Sequence, residues 1–158
     1  MMPPALFALM LGAFAIGTTE FVIVGLLPTI AADLGITLPS AGLAVSLYAL
    51  SVALSAPLLT AATARWPRKN VLLMLMAVFV LGNLLAWQAT SFATLLIARI
   101  VTALAHGVFF SIGATIATQL VAKEKAARAI AMMFTGLTVA LVTGVPLGTF
   151  IGQHWGWQ

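Results

Sequence analysis

Three side chains that can carry a charge lie inside long apolar runs of this sequence: Glu20, Arg99 and His106. A charge at bilayer depth costs at least ~2.5–3.5 kcal/mol on insertion scales, so such residues usually face a cavity or a partner. A carboxylate shielded from water can also bind and release a proton near neutral pH. The three residues therefore indicate a proton-coupled switch inside a membrane. The alternative for Glu20 is a structural role, neutral or hydrogen-bonded to a neighbouring helix.

Helix geometry places each of these residues on a definite face. Ala13 and Gly17 share the face of Glu20, so a neighbouring helix can approach closely and the carboxylate is predicted to point into the bundle. The hydroxyls of Thr18 and Thr19 are expected nearby. Glu20 facing an arginine or a histidine across a cavity would make a proton-coupled switch.

Arg99 and His106 are seven residues apart, two turns along one helix face, with Thr102 between them. This spacing predicts a polar stripe on an otherwise apolar helix. Two structural alternatives remain open. Arg99 could extend its side chain toward water at the helix end, and His106 could be a packing histidine without a proton role.

Apolar helices must position these residues. Of 158 residues, 63% are hydrophobic and 6% are charged, whereas soluble domains carry about 25% charged residues. Five apolar runs cover approximately residues 7–30, 42–62, 71–88, 92–118 and 129–152, each close to or above the ~20 residues that cross a bilayer. No alternating segments of ~10 residues indicate barrel strands. The sequence predicts an all-α integral membrane protein with about five transmembrane helices.

The basic residues predict how these helices are oriented. Six of the seven lie in two short clusters between apolar runs: Arg65, Arg68, Lys69, Lys123, Lys125 and Arg128. The positive-inside rule then places both clusters and the N-terminus in the cytoplasm and the C-terminus outside. We expect a multi-pass protein of the inner (plasma) membrane. Because the basic residues separate apolar runs, they indicate membrane topology and no nucleic-acid partner.

Several classes of chemistry lack the residues that they need. The chain has no cysteine, which excludes disulfides and thiolate metal sites. Neither glycine-rich nucleotide-binding motif is present, and two histidines without suitable neighbours fall short of a zinc site. No nucleophile–base arrangement is visible. We therefore expect no enzyme activity, no cofactor and no metal.

Two segments near the N-terminus resemble a known family. "GAFAIGTTEFVIVGLLPTIAADLG" looks like the first helix of major facilitator superfamily transporters, specifically the arabinose-efflux-permease-like or purine-nucleoside-efflux-like branch of the drug:proton antiporters. "LLTAATARWPRKN" occupies the position of the family's basic loop, with the pattern G-x-x-x-D-R/K-x-G-R-R/K. Arg65, Arg68 and Lys69 match that pattern. Thr60, Ala64 and Pro67 replace its first glycine, its acid and its second glycine.

Two later segments extend the resemblance. "ARIVTALAHGVFFSIG" is similar to the family's fourth helix, whose intramembrane arginine is linked to proton coupling; this role falls on Arg99, and Ala103 stands where the motif has glycine. "GLTVALVTGVPLGTFIG" resembles the antiporter motif of the fifth helix, associated with export, through Gly144, Pro146 and Gly148, with one residue inserted before the proline. The alternative for these glycines, which recur every four residues, is a packing seam.

The resemblance implies twelve helices in two six-helix halves, each built from inverted three-helix repeats. The chain would then be an incomplete N-terminal half. The implied function is proton-coupled efflux of a small solute (sugar, nucleoside or drug-like). This chain would be either a fragment that cannot transport alone or a part that assembles with the missing second half.

In that transporter, each group of residues has an implied role. Glu20 and Arg99 would serve coupling or substrate contact, and His106 would line the cavity. The three basic residues of the first cluster would form a cytoplasmic gate loop, and the glycines and proline of the fifth helix a pivot. Lipid, protons and the solute are the expected partners. The alternative is a small non-transporting membrane protein that assembles with partner helices.

Overall fold

The computed structural model describes residues 3–158, and these residues form helices and short connections without a strand. The first four helices are α1 (Pro4–Asp33), α2 (Leu38–Ala62), α3 (Arg68–Trp87) and α4 (Phe92–Gln119). The fifth span, Lys123–Trp155, consists of a 3-10 turn (Lys123–Lys125), α5 (Ala126–Val139), a π-helical turn (Ala140–Gly144) and α6 (Val145–Trp155). Five helical stretches of the described chain are thus long and apolar enough to cross a membrane. The predicted all-α class with five spans is confirmed.

The helices extend beyond most of the predicted spans. α1 has 30 residues and measures roughly 45 Å, whereas a bilayer core is about 30 Å thick. A hydroxyl at the start of α2 explains its earlier beginning, because Thr37 accepts a hydrogen bond at 3.3 Å from the backbone N–H of Ser40. Ser91 caps α4 in the same way, at the predicted start of that span. Arg68 and Lys69, predicted in a loop, instead form the first turn of α3.

Helix α4 is the centre of the bundle. It contacts α1, α2, α3 and α5. Half of the residues in its 18-residue apolar stretch are buried, compared with 17–28% in the corresponding stretches of the other four spans. α1 packs chiefly against α5 and α6 and also contacts α2. The connections between α2 and α3 and between α4 and α5 carry the two basic clusters. Since successive spans alternate in direction, both clusters lie at the end of the bundle where α1 begins, here called the basic end.

The buried core is divided into two apolar clusters. The cluster toward the basic end includes Leu6 to Ile16 of α1 and Ala105 to Ala117 of α4. The other cluster includes Ile23 to Ile30 of α1 and Leu95 of α4. Between them, both helices carry polar side chains at the middle of the bundle. A packed bundle thus holds its ionisable groups in one layer between two apolar regions.

Candidate functional site

The first contact of this layer joins α1 to α4. Oε2 of Glu20 lies 3.6 Å from Nδ1 of His106, and their side chains are only 24% and 16% exposed. Glu20 therefore points into the bundle, where a histidine faces it. At 3.6 Å the two atoms are slightly beyond direct hydrogen-bond distance, so a small shift would bring them into contact.

Arg99 is buried and bonded to backbone instead of the carboxylate. It is 4% exposed. Its guanidinium donates to the carbonyls of Thr19 at 2.9 Å, Glu20 at 3.4 Å and Ala44 at 3.5 Å. Within residues 3–158, Arg99 and Glu20 form no side-chain ion pair. The side chain does not extend to water at the helix end; it fixes α4 to the backbones of α1 and α2.

Tyr48 of α2 connects Arg99 and His106 of α4. It is 2% exposed. Its ring centroid lies 3.9 Å from Cζ of Arg99, a cation–π distance. Its hydroxyl lies 3.0 Å from Nδ1 of His106. Sequence reasoning did not select Tyr48. The sequence feature that could have identified Tyr48 is its position in the middle of an apolar helix, where a buried hydroxyl needs a partner. It is also the chain's single tyrosine.

Asn83 of α3 adds a further polar contact. The hydroxyl of Thr19 donates to Oδ1 of Asn83 at 3.2 Å, and Nδ2 of Asn83 donates to the Phe79 carbonyl at 2.8 Å. Sequence reasoning also omitted Asn83, although an amide inside an apolar span usually bonds across helices. Together, Thr19, Glu20, Tyr48, Asn83, Arg99 and His106 are called the polar layer below.

Two predicted members do not contribute to the polar layer as expected. Thr18 donates to the Phe14 carbonyl at 2.9 Å and packs against Gly144. Thr102 lies on the stripe between Arg99 and His106, but its hydroxyl donates to the carbonyls of Ala98 and Arg99 in its own helix, both at 3.0 Å. These hydroxyls are satisfied locally because β-branched threonine readily bonds the preceding turn.

The predicted gate residues lie away from the polar layer. Arg65, Arg68 and Lys69 are exposed at the basic end. Arg68 lines a small pocket with Thr60 and Thr115, and Lys69 lines an apolar groove between α1, α3 and α4.

The glycines of the fifth span pack against α1. A Cβ at Gly144, Gly148 or Gly152 would collide with Thr18, Val22 or Leu26 respectively. We call this interface the glycine seam. Pro146 follows the π-helical turn, in which the Val145 N–H donates to the Ala140 carbonyl five residues earlier. Because proline provides no N–H, regular α bonding is interrupted at this point.

Taken together, the fold and the polar layer define an integral membrane helix bundle with buried ionisable groups. The chain belongs to the major facilitator superfamily, whose family model matches residues 9–158. This confirms the family inferred from the sequence motifs.

Three relatives illustrate the similarity. The uncharacterized MFS-type transporter YtbD of Bacillus subtilis (strain 168) is 59% identical over 98% of this chain and 39% of its own length. The inner membrane transport protein YdhP of Escherichia coli (strain K12) is 46% identical over 97% of this chain and 39% of its own length. A chloramphenicol resistance protein of Streptomyces lividans is 40% identical over 99% of this chain and 40% of its own length. The chain thus spans about two fifths of these relatives.

Proposed function

We propose that this chain forms the first part of a proton-coupled efflux transporter for a small solute, either a sugar, a nucleoside or a drug-like molecule. The observation that carries the proposal is the approach of Glu20 Oε2 to His106 Nδ1 at 3.6 Å, between two apolar clusters. An acid and a base at this depth can exchange a proton away from bulk water. The name of the Streptomyces lividans relative favours drug-like solutes.

In this proposal the residues of the polar layer have separate tasks. Glu20 binds and releases the transported proton, and His106 is its nearest proton-exchanging neighbour. Arg99 holds α1, α2 and α4 together through three backbone carbonyls. The guanidinium supplies a fixed positive charge beside a group whose charge changes during transport.

Alternating access requires one six-helix half to move against the other. The second half would come from a longer polypeptide or a partner chain. The basic end, with Arg65, Arg68 and Lys69, would face the cytoplasm and close that side, and the C-terminal end would face outside. Gly144, Pro146 and Gly148 would form the pivot at which the fifth span moves against α1.

A chimera tests this function. The segment of YtbD that matches this chain is replaced by residues 1–158, so that the remaining helices of the relative complete the bundle. Inverted membrane vesicles that contain the chimera are energised, and solute-induced proton release is followed with a pH-sensitive dye. Chloramphenicol, a nucleoside and a pentose serve as three test solutes.

Glu20→Gln should reduce solute-coupled proton release at least tenfold, because the amide cannot bind and release the proton. Glu124→Gln is the matched control, since Glu124 is exposed in the 3-10 turn at the basic end, and it should retain full activity. Unchanged proton release in Glu20→Gln would contradict the coupling role. A folded chimera that fails to move a test solute moved by YtbD in the same assay would favour the non-transporting alternative.

A further inference from the structure

Two groups compete for one ring nitrogen of His106. The Tyr48 hydroxyl lies 3.0 Å from Nδ1 and Oε2 of Glu20 lies 3.6 Å from the same atom. A neutral imidazole carries a hydrogen on only one of its two nitrogens. When Nδ1 is bare it can accept from Tyr48 but has nothing to donate to Glu20. When Nδ1 carries a hydrogen, it can donate to the carboxylate.

We propose that Tyr48 is a positioning residue that donates its hydroxyl hydrogen to Nδ1 of neutral His106. This bond places the imidazole hydrogen on Nε2 and leaves the Glu20 carboxylate unpaired with the ring. The consequence for transport rests on the proposed function, because it concerns the moment at which His106 and Glu20 become a pair. The bond itself is a property of this chain alone.

The proton balance of the switch is simple. A proton leaves either the Glu20 carboxyl group, which becomes a carboxylate, or a hydronium ion, which becomes water, and binds Nδ1, so that His106 becomes positively charged. Tyr48 keeps its own proton, and its hydroxyl hydrogen rotates away from the ring. Nδ1–H then points to Glu20, so that an acid–base pair replaces a neutral hydrogen bond. The bond from Tyr48 thereby restricts the link between Glu20 of α1 and His106 of α4 to the protonated state of His106.

Among the described groups that face His106, the Tyr48 hydroxyl lies within hydrogen-bond distance of Nδ1 and Glu20 Oε2 lies just beyond it. α1 contributes Glu20, α2 contributes Tyr48, and α4 contributes Arg99, whose N–H groups are directed to backbone carbonyls. Phe110 packs on the imidazole with a centroid distance of 5.1 Å and offers no hydrogen-bonding group. From α3 the polar layer receives only the uncharged Asn83. The charged residue of α5, Arg128, lies in its first turn at the basic end.

Nitrogen NMR of the histidines tests the proposal in the full chain, reconstituted in lipid nanodiscs with ¹⁵N-labelled imidazole. The sequence has only two histidines, so the exposed His154 is an internal reference. At a pH where both rings are neutral, wild-type His106 should carry its hydrogen on Nε2. Tyr48→Phe removes only the hydroxyl and keeps the ring against Arg99. Glu20 is then the remaining partner of Nδ1, and the tautomer ratio should move toward Nδ1–H on the order of fivefold.

His154 should show the same signals in both proteins, which verifies that the two samples have the same pH, and equal helix content verifies that the fold is retained. A hydrogen on Nδ1 of neutral His106 in the wild-type chain would overturn the proposal, and this result needs no variant. An unchanged tautomer ratio in Tyr48→Phe would overturn it as well. If Glu20→Gln leaves coupled proton release intact in the chimera, the proposed function fails while the NMR result stands or falls separately.

Discussion

Helix α1 takes part in two interfaces that are built on different principles. In the polar layer, α1 meets α3 and α4 through hydrogen bonds from Thr19 and Arg99 and through the approach of Glu20 to His106. In the glycine seam, α1 meets the fifth span where its side chains at Thr18, Val22 and Leu26 pack directly on glycines. The same helix therefore has directional polar contacts along one interface and matched shapes along another.

The difference shows which forces hold a bundle together in lipid. Lipid tails are as apolar as leucine, so helices gain little from burying apolar surface against each other. The glycine seam replaces that gain with van der Waals contact, which requires the absence of a Cβ. The polar layer replaces it with hydrogen bonds, because a polar group that lacks a partner in hydrocarbon costs free energy. We expect the first interface to be sensitive to added volume and the second to lost donors.

The largest effect is expected at Gly136, a further glycine of the fifth span that packs on α1, between the basic end and the glycine seam. A Cβ at Gly136 would collide with the Met10 carbonyl oxygen and would lie 3.0 Å from the Phe14 nitrogen. Because both neighbours are backbone atoms, the helices must separate to accommodate the methyl group. Gly136→Ala should lower the free energy of unfolding by about 3 kcal/mol, at the upper end of overpacking costs. Helix content against dodecyl sulfate fraction in mixed micelles measures this change.

Gly42→Ala is the matched control. A Cβ at Gly42 meets no atom within 4 Å, so the alanine should raise helix stability by up to about 1 kcal/mol. Equal destabilisation by both variants would show that the glycines act through backbone flexibility instead of close packing, and the contrast between the interfaces would fail.

The glycine seam could be predicted from the sequence only in part. The four-residue spacing of Gly144, Gly148 and Gly152 indicates a packing face, since residues four apart lie on one side of a helix. The spacing carries no information about which helix fills that face. The partner is α1, where Thr18, Val22 and Leu26 follow the same spacing. This match becomes visible only when both helices are placed together.

The polar layer was predictable to the extent that its members carry charge. Glu20, Arg99 and His106 are conspicuous because ionisable residues are costly in apolar spans. Tyr48 and Asn83 carry no charge, and one hydroxyl or amide in an apolar run gives a weak signal. The partners of Arg99 are backbone carbonyls, which every residue possesses, so no sequence pattern could identify them.

A smaller effect is expected for Arg99→Lys, which retains the positive charge but removes the planar fork. One ammonium group cannot reach carbonyls on both α1 and α2 in the same geometry. The unfolding free energy should fall by about 2 kcal/mol, as expected for hydrogen bonds from a charged donor. Arg128→Lys, at an exposed position, should change it by less than about 0.5 kcal/mol. If both variants behave alike in the micelle titration, charge alone holds Arg99 in place.

The smallest effect is expected for Thr19→Val, which keeps the shape of the side chain and removes one hydroxyl. The lost bond is the 3.2 Å contact from Thr19 to Oδ1 of Asn83, while the Thr19 carbonyl still accepts from Arg99. Hydrogen bonds between membrane helices average about 0.6 kcal/mol, and the unfolding free energy should fall by about that amount. Thr135→Val is the control, because that hydroxyl donates to Ala131 in its own helix and should matter less. A loss above about 2 kcal/mol at Thr19, in the same titration, would mean that the α1–α3 contact depends on this bond as strongly as the glycine seam depends on shape.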